Sequence, residues 1–327
     1  MSFIGKQIEM GVSVEGTRGS AESTTSKWVK NTTADIILNT EKVVDDNSQG
    51  RIEDSVGQRT TQKWLEGSLE GILHVDPIGY FFKQLYGDLT TTTVSEGSVY
   101  SHEFTVANDI DNPTLSIFLK DGSVKEKVYN GAVVSSFELS ADIDDYVRYT
   151  TDLIARDESD STNTPSYDNE YDFVARDITL KIANTESGLT SATAVDAKNL
   201  DITWDAGAIR DHVFGSYSPN DIYNANFSIE GSFEKNYEDS TFRDLWKGDD
   251  AKYMEITIEG EADLGSGNNP SITILLNKVQ ITDWSRGGGN EDLVTEDVSF
   301  KAFYNEDDDQ QSKVTVQNAT DNYNEPY

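Results

Sequence analysis

The sequence predicts an all-β protein: two copies of one tail-to-head repeated sandwich- or barrel-like domain, each carrying a single short helix. Three observations predict it. Runs rich in Val, Ile, Phe, Tyr and Thr are short and separated by Gly, Asn or Asp turns, which is the pattern of strands. A helical period occurs in only one stretch of each half. That stretch is itself repeated, and a repeat of this size signals a duplicated domain.

The repeat covers residues 68–86 and 228–246 at a constant offset of 160. Ser68, Glu70, Gly71, Phe82 and Leu85 recur as Ser228, Glu230, Gly231, Phe242 and Leu245. Leu69/Ile229, Leu73/Phe233, Lys83/Arg243 and Tyr86/Trp246 recur in kind. Downstream, Glu103-Phe104-Thr105-Val106 followed by Asn112-Pro113 matches Glu255-Ile256-Thr257-Ile258 followed by Asn269-Pro270. The order of elements repeats, with small changes in spacing.

In chain order, 8–15 alternates like a strand and runs into the turn Gly16-Thr17-Arg18-Gly19, and 34–39 reads as a second strand. Residues 43–61 are a long polar excursion, of a length that is usually functional. Residues 61–75 alternate again. Then the period changes: Asp76 suits an N-cap, Pro77 the first helical position, Ile78, Phe81, Phe82 and Leu85 share a face, and Gly87 suits a C-terminal cap. Strands follow at 100–106, 114–119, 125–129, 133–139 and 146–155. Residues 158–170 are acidic and rich in Ser, Thr and Asn, and read as a linker. The second copy runs 171–305 with strands at 177–182, 199–204 and 226–233 and a helix at 242–246, against 1–157 for the first copy. Residues 306–327 read as a polar tail, loosely held unless docked.

Composition narrows function. The chain has 327 residues, with 59 Asp and Glu against 26 Lys and Arg, a formal charge of -33. That field repels nucleic acid and anionic membranes and disfavours sequence-specific DNA binding. It suits first a solvated surface in a high-salt environment, where counterions screen it, and second a channel or face meant to repel a polyanion. With no cysteine, disulfides, thiolate metal sites and thiol nucleophiles are excluded. The opening residues 1–6 lack a signal-peptide pattern, and no apolar run approaches the roughly 18 residues of a membrane helix.

Catalytic constellations are lacking. His74, His102 and His212 stand far apart with no metal-ligand spacing. The acidic groups Asp142, Asp144, Asp145 and Glu306, Asp307, Asp308, Asp309 lack the spacing of a calcium loop. Gly265-Ser266-Gly267 and Gly287-Gly288-Gly289 read as hairpin turns, not phosphate cradles. The sequence predicts no enzyme and no cofactor. An acidic adhesin or carbohydrate-binding β-protein fits the composition as an alternative, and an acidic-site hydrolase fits less well.

Residues 8–21, I-E-M-G-V-S-V-E-G-T-R-G-S-A, with Trp28, the Glu70-Gly71 strand feeding the 77–87 helix, and Tyr129-Asn130-Gly131-Ala132-Val133-Val134-Ser135-Ser136-Phe137 carry a family resemblance. The chain resembles the major tail tube proteins of long-tailed phages and tailed archaeal viruses. The resemblance implies a structural virion protein, assembled in the host cytoplasm, whose strands join across subunits into a tube. Single-domain members make hexameric rings, so a duplicated chain implies trimeric, pseudo-hexameric ones. The implied partners are further copies of the chain, a tape-measure protein, terminator and baseplate proteins, and viral DNA passing without specific binding. No membrane is implied. By the same resemblance the 43–61 loop, with Asp45, Asp46, Arg51, Glu53 and Asp54, is the candidate contact with the next ring. The acidity predicts a halophilic virus and a net acidic lumen.

Overall fold

The computed structural model describes residues 4–30, 32–46, 50–95, 99–289 and 291–323. Parts of the expected signal-free start (1–3), loop tip (47–49) and tail (324–327) lie outside the described residues. The first half runs β1 (Ile8–Val14), β2 (Lys27–Val29), β3 (Thr32–Val44), β4 (Gln58–Ile72), α1 (Val75–Tyr86), β5 (Gly87–Ser95), β6 (Val99–Val106), β7 (Leu115–Asp121), β8 (Lys125–Asp142), β9 (Arg148–Ala155) and β10 (Asp157–Asp160). The second runs β11 (Ile178–Ala183), α2 (Glu186–Leu189), β12 (Ala197–Asp205), β13 (Ala208–Asp211), β14 (Asp221–Asn224), β15 (Ser228–Asn236), α3 (Thr241–Gly248), β16 (Lys252–Glu259), β17 (Ser271–Gly287), β18 (Thr295–Ala302) and β19 (Ser312–Asn318). The protein is all-β with a few short helices, and its named strand pairs are antiparallel.

One sheet organises the molecule. Its order is β3-β4-β9-β8-β12-β15-β18-β17, four strands from the first half and then four from the second in the same relative order. A single row of directly opposed residues crosses it: Ala34, Leu69, Thr151, Phe137, Trp204, Ile229, Ala302 and Val279. All eight are buried, because successive side chains of a strand alternate faces and this parity is the apolar one. The long strands β8 and β17 leave this sheet at register shifts and pair β7 and β16 in the layer behind. The core between the layers is continuous through both halves.

α1 lies in that core with ten of its twelve residues buried. Its boundary differs from the sequence expectation. His74 is the N-cap, without a side-chain cap bond, because the Asp76 carboxylate is drawn instead to Lys27 at 3.1 Å. Pro77 therefore sits within the first turn, where its missing N–H costs nothing. Gly87 does terminate the helix, at φ 85, a conformation that favours glycine. α3 has eight residues and buries only Phe242. The difference lies in what covers them: β5, β6 and β19 close over α1, and Tyr323 packs edge-on against Tyr80 at 4.9 Å.

Three segments depart from the expected loops. Only the two ends of 43–61 are strand: β3 and β4 form the two arms of a long hairpin with Val44 opposite Gln58. The linker is partly sheet: β10 pairs with β8, and Glu170 is buried against Lys27. The tail contains β19, which pairs with β6 on one side and β17 on the other. Its alternation, Val314 and Val316 buried and Lys313, Thr315 and Gln317 half-buried, is a strand signature hidden by the acidic turn before it.

Candidate assembly interface

The junction between the halves shows how this sheet joins one four-strand unit to the next. β8 pairs β12 with Glu138 opposite Thr203, Leu139 opposite Ile202 and Phe137 opposite Trp204. Behind it Trp204 packs on Phe137 at 5.9 Å and on Phe82 at 5.7 Å. The Trp204 indole N–H donates to the Tyr86 hydroxyl at 2.9 Å, which lies 3.0 Å from the Ser312 hydroxyl. Helix, junction strand and C-terminal strand are thus tied at one buried point. Arg18, from the opening motif, forms a second tie: its Nε lies 3.0 Å from Asp221 and its guanidinium donates to the carbonyls of Asn112 and Ile222. Sequence reasoning missed both, since the partners stand 118 and 203 residues apart.

The sheet's other face is polar. The row adjoining the buried one is Thr33, Glu70, Thr150, Glu138, Thr203, Glu230, Lys301 and Gln280. Rows on either side add Asp35, Asp152, Asp205, Asp201 and Asp283. Arg148 and Lys301 are the cations on these rows, and Lys301 is held by Glu230 at 2.6 Å. Burial and the neighbouring Glu138 and Asp142 raise Asp201 above the usual carboxylate range. This concentration of like charge in one sheet face destabilises the isolated chain unless cations screen it.

The repeated residues fall on strands β4 and β15 and helices α1 and α3. Glu70 and Glu230 occupy the polar row, while Phe82, Leu85 and Phe242 are buried and Leu245 packs partly on the core. Gly71 is buried. At Gly231 an added Cβ would meet the Phe300 ring at 2.4 Å and the Asp201 carbonyl at 2.5 Å. Asp45, Asp46, Arg51, Glu53 and Asp54 are all exposed at the far end of the β3–β4 hairpin. They accompany two apolar side chains that charge patterning overlooked: Ile52, 104% exposed, and Val56, 66% exposed.

A partly buried ionic cluster fastens the inter-half segment across the start of α1. The Lys27 ammonium lies 2.9 Å from Asp168 and 3.1 Å from both Asp76 and Glu170. One Glu170 oxygen has no hydrogen-bond partner, and burial pushes this carboxyl up to about 7 despite Lys27. A raised folded-state value means the protonated form suits the fold. Its stability contribution is present below about pH 4.5 and is lost as pH rises through about 7. Glu170→Gln is expected to flatten that part of the pH–stability curve and to exceed the parent by about 2 kcal/mol at pH 8. Urea unfolding of both proteins at pH 4.5 and 8 checks it, and an unchanged slope contradicts it.

The three histidines remain dispersed: His74 beside Asp172, His102 between Thr91 and the Thr320 carbonyl, and His212 edge-on to Trp64. The acidic groups are tied to protein partners, Asp145 to Arg148 and Asp308 to Tyr253, Asn277 and Asn305. Among the described residues no cluster of three or more His, Cys, Asp or Glu could hold a metal, and no helix is long and apolar enough to cross a membrane.

A protein family described as "Phage tail tube protein" matches residues 5–302. No curated protein matches the chain. Among solved structures, the tail tube of SPP1, determined by solid-state NMR and cryo-EM, aligns at 11% identity and a TM-score of 0.25, covering 46% of this chain and 81% of that one. A TM-score that low carries no structural argument.

Proposed function

The chain belongs to the phage tail tube protein family, and from that premise we propose that its copies join laterally into rings and stack into the hollow tail tube of a virion. The observation that carries this is the polar sheet face spanning both halves, backed by a single continuous core. A face so acidic suits the lumen. DNA adheres to proteins through phosphate contacts with Lys and Arg, and here carboxylates dominate, so a genome can slide past. Each chain supplies two similar four-strand units, which supports three chains where single-unit members would use six. The role is structural, with tape-measure, terminator and baseplate proteins as further partners and assembly in the host cytoplasm.

The acidity also supports a halophilic setting, since screening by concentrated salt removes the self-repulsion of the lumenal face. Negative-stain microscopy of the purified protein across a salt series tests the reading. Rings or hollow rods of uniform diameter at high salt are expected. A monodisperse monomer at every salt and protein concentration overturns it.

A further inference from the structure

α1 and α3 hold the same place in the two halves, each following the strand that carries the repeated Glu. Only α1 is closed over. β5 and β6 follow it in the chain and, with β19, form its cover. In the second half α3 ends at Gly248 and β16 begins at Lys252, which leaves no residues for a counterpart of β5 and β6. A groove of about 730 Å³ lies open between α3, β11 and the segment 193–196.

The floor of the groove is apolar. Ile182, Val195 and Leu245 are half-buried against the main core, and Phe242 joins that core through Phe233, ring to ring at 5.2 Å. The rim is acidic: Asp196, Glu238 and Asp250 stand on it, exposed and, among the described residues, without an ion-pair partner. The two lysines beside them are engaged, Lys235 by Glu296 at 3.4 Å and Lys252 by Asn184.

We propose that this groove docks a basic, amphipathic segment of a second protein, with large apolar side chains on the floor and Lys or Arg on the rim. Amphipathic segments are held in grooves of this kind by apolar anchors. The floor excludes a purely ionic occupant, since a cation there would lose water and gain no partner. The rim excludes a neutral or acidic one, since its carboxylates would be desolvated unpaired. Another copy of this chain, with a formal charge of -33, brings like charge to that rim. Because Phe233 is on the buried side of β15, the groove opens away from the polar sheet face. The partner's position outside a tube rests on the proposed assembly; the groove itself does not.

The probe is the fluorescein-labelled peptide Lys-Lys-Leu-Leu-Lys-Lys, followed by anisotropy at the lowest salt at which circular dichroism shows the chain folded, since screening weakens the rim. Saturable binding of one peptide per chain is expected. Glu238→Lys/Asp250→Lys, both at exposed positions, is expected to weaken it about tenfold by turning attraction into repulsion. Replacing both Leu of the peptide by Ser is expected to cost about as much. The same charge change at the tip of the β3–β4 arm, Glu53→Lys/Asp54→Lys, is expected to alter affinity by less than about twofold. Absence of saturable binding overturns the proposal, as does undiminished binding of the Ser peptide. An equal loss in the arm-tip variant overturns it too, by reducing the effect to net charge. Loss of rings and rods in Glu238→Lys/Asp250→Lys assigns the groove to another copy and likewise overturns it. A parent protein that binds the peptide but never forms rings or rods leaves the groove standing and overturns the tube reading.

Discussion

Phe82→Ala is expected to lower stability by about 3–5 kcal/mol, a large share of the 5–15 kcal/mol typical of a folded domain. Phe82 is fully buried. Its ring lies 5.4 Å from Phe137, 5.7 Å from Trp204, 6.0 Å from Phe104 and 6.2 Å from Tyr86. Truncation therefore leaves a cavity walled by rings from α1, β6, β8 and β12, which sit on rigid elements and cannot collapse into it. Because Trp204 belongs to the second half, the loss should weaken both halves in one transition. Guanidinium unfolding at high salt, followed by tryptophan fluorescence and by circular dichroism, measures it. A loss below about 1 kcal/mol, or two separated transitions of which only one moves, contradicts the shared core.

Ile52→Asp is expected to leave rings intact and abolish rods. A two-stranded hairpin is marginal alone in water, and the β3–β4 arm carries exposed Val43, Val44, Ile52 and Val56. Such a grouping of apolar side chains marks a contact surface. Placing an unpaired carboxylate in that contact costs about 2 kcal/mol, or more than tenfold in affinity. With three copies in the proposed ring, the loss multiplies to about a thousandfold or more. Electron microscopy and sedimentation of parent and variant at matched salt distinguish the outcomes. Undiminished rods would remove the arm tip from the stacking contact and leave the five polar candidates around it without support.

Most strands and the helices α1 and α3 were legible because each has a local signal: alternation or a change of period. Glu70 and Glu230 could be paired from sequence, and both lie in one row of one sheet face. The N-cap at Asp76 was misplaced because capping competes with ion pairing, and Lys27 is 49 residues away. β19 reads as tail in the sequence because its acidic neighbours dominate composition there, whereas its pairing with β6 spans more than two hundred residues. The Trp204–Tyr86–Ser312 and Arg18–Asp221 ties had no local signal, since no sequence window holds both partners. The exposed Ile52 was visible in the sequence, but a lone apolar residue in a polar loop has no period to flag it.

The position of β19 bears on how the chain is made. It fills the gap between β6 of the first half and β17 of the second, so the earlier half cannot complete its sheet until residues 312–318 have left the ribosome. Contacts of such long sequence separation form slowly. Throughout synthesis β6 therefore presents an unpaired edge of the kind that recruits wrong partners. A chain truncated before residue 312 keeps that edge permanently, which makes completion of the first half depend on a strand translated long after it.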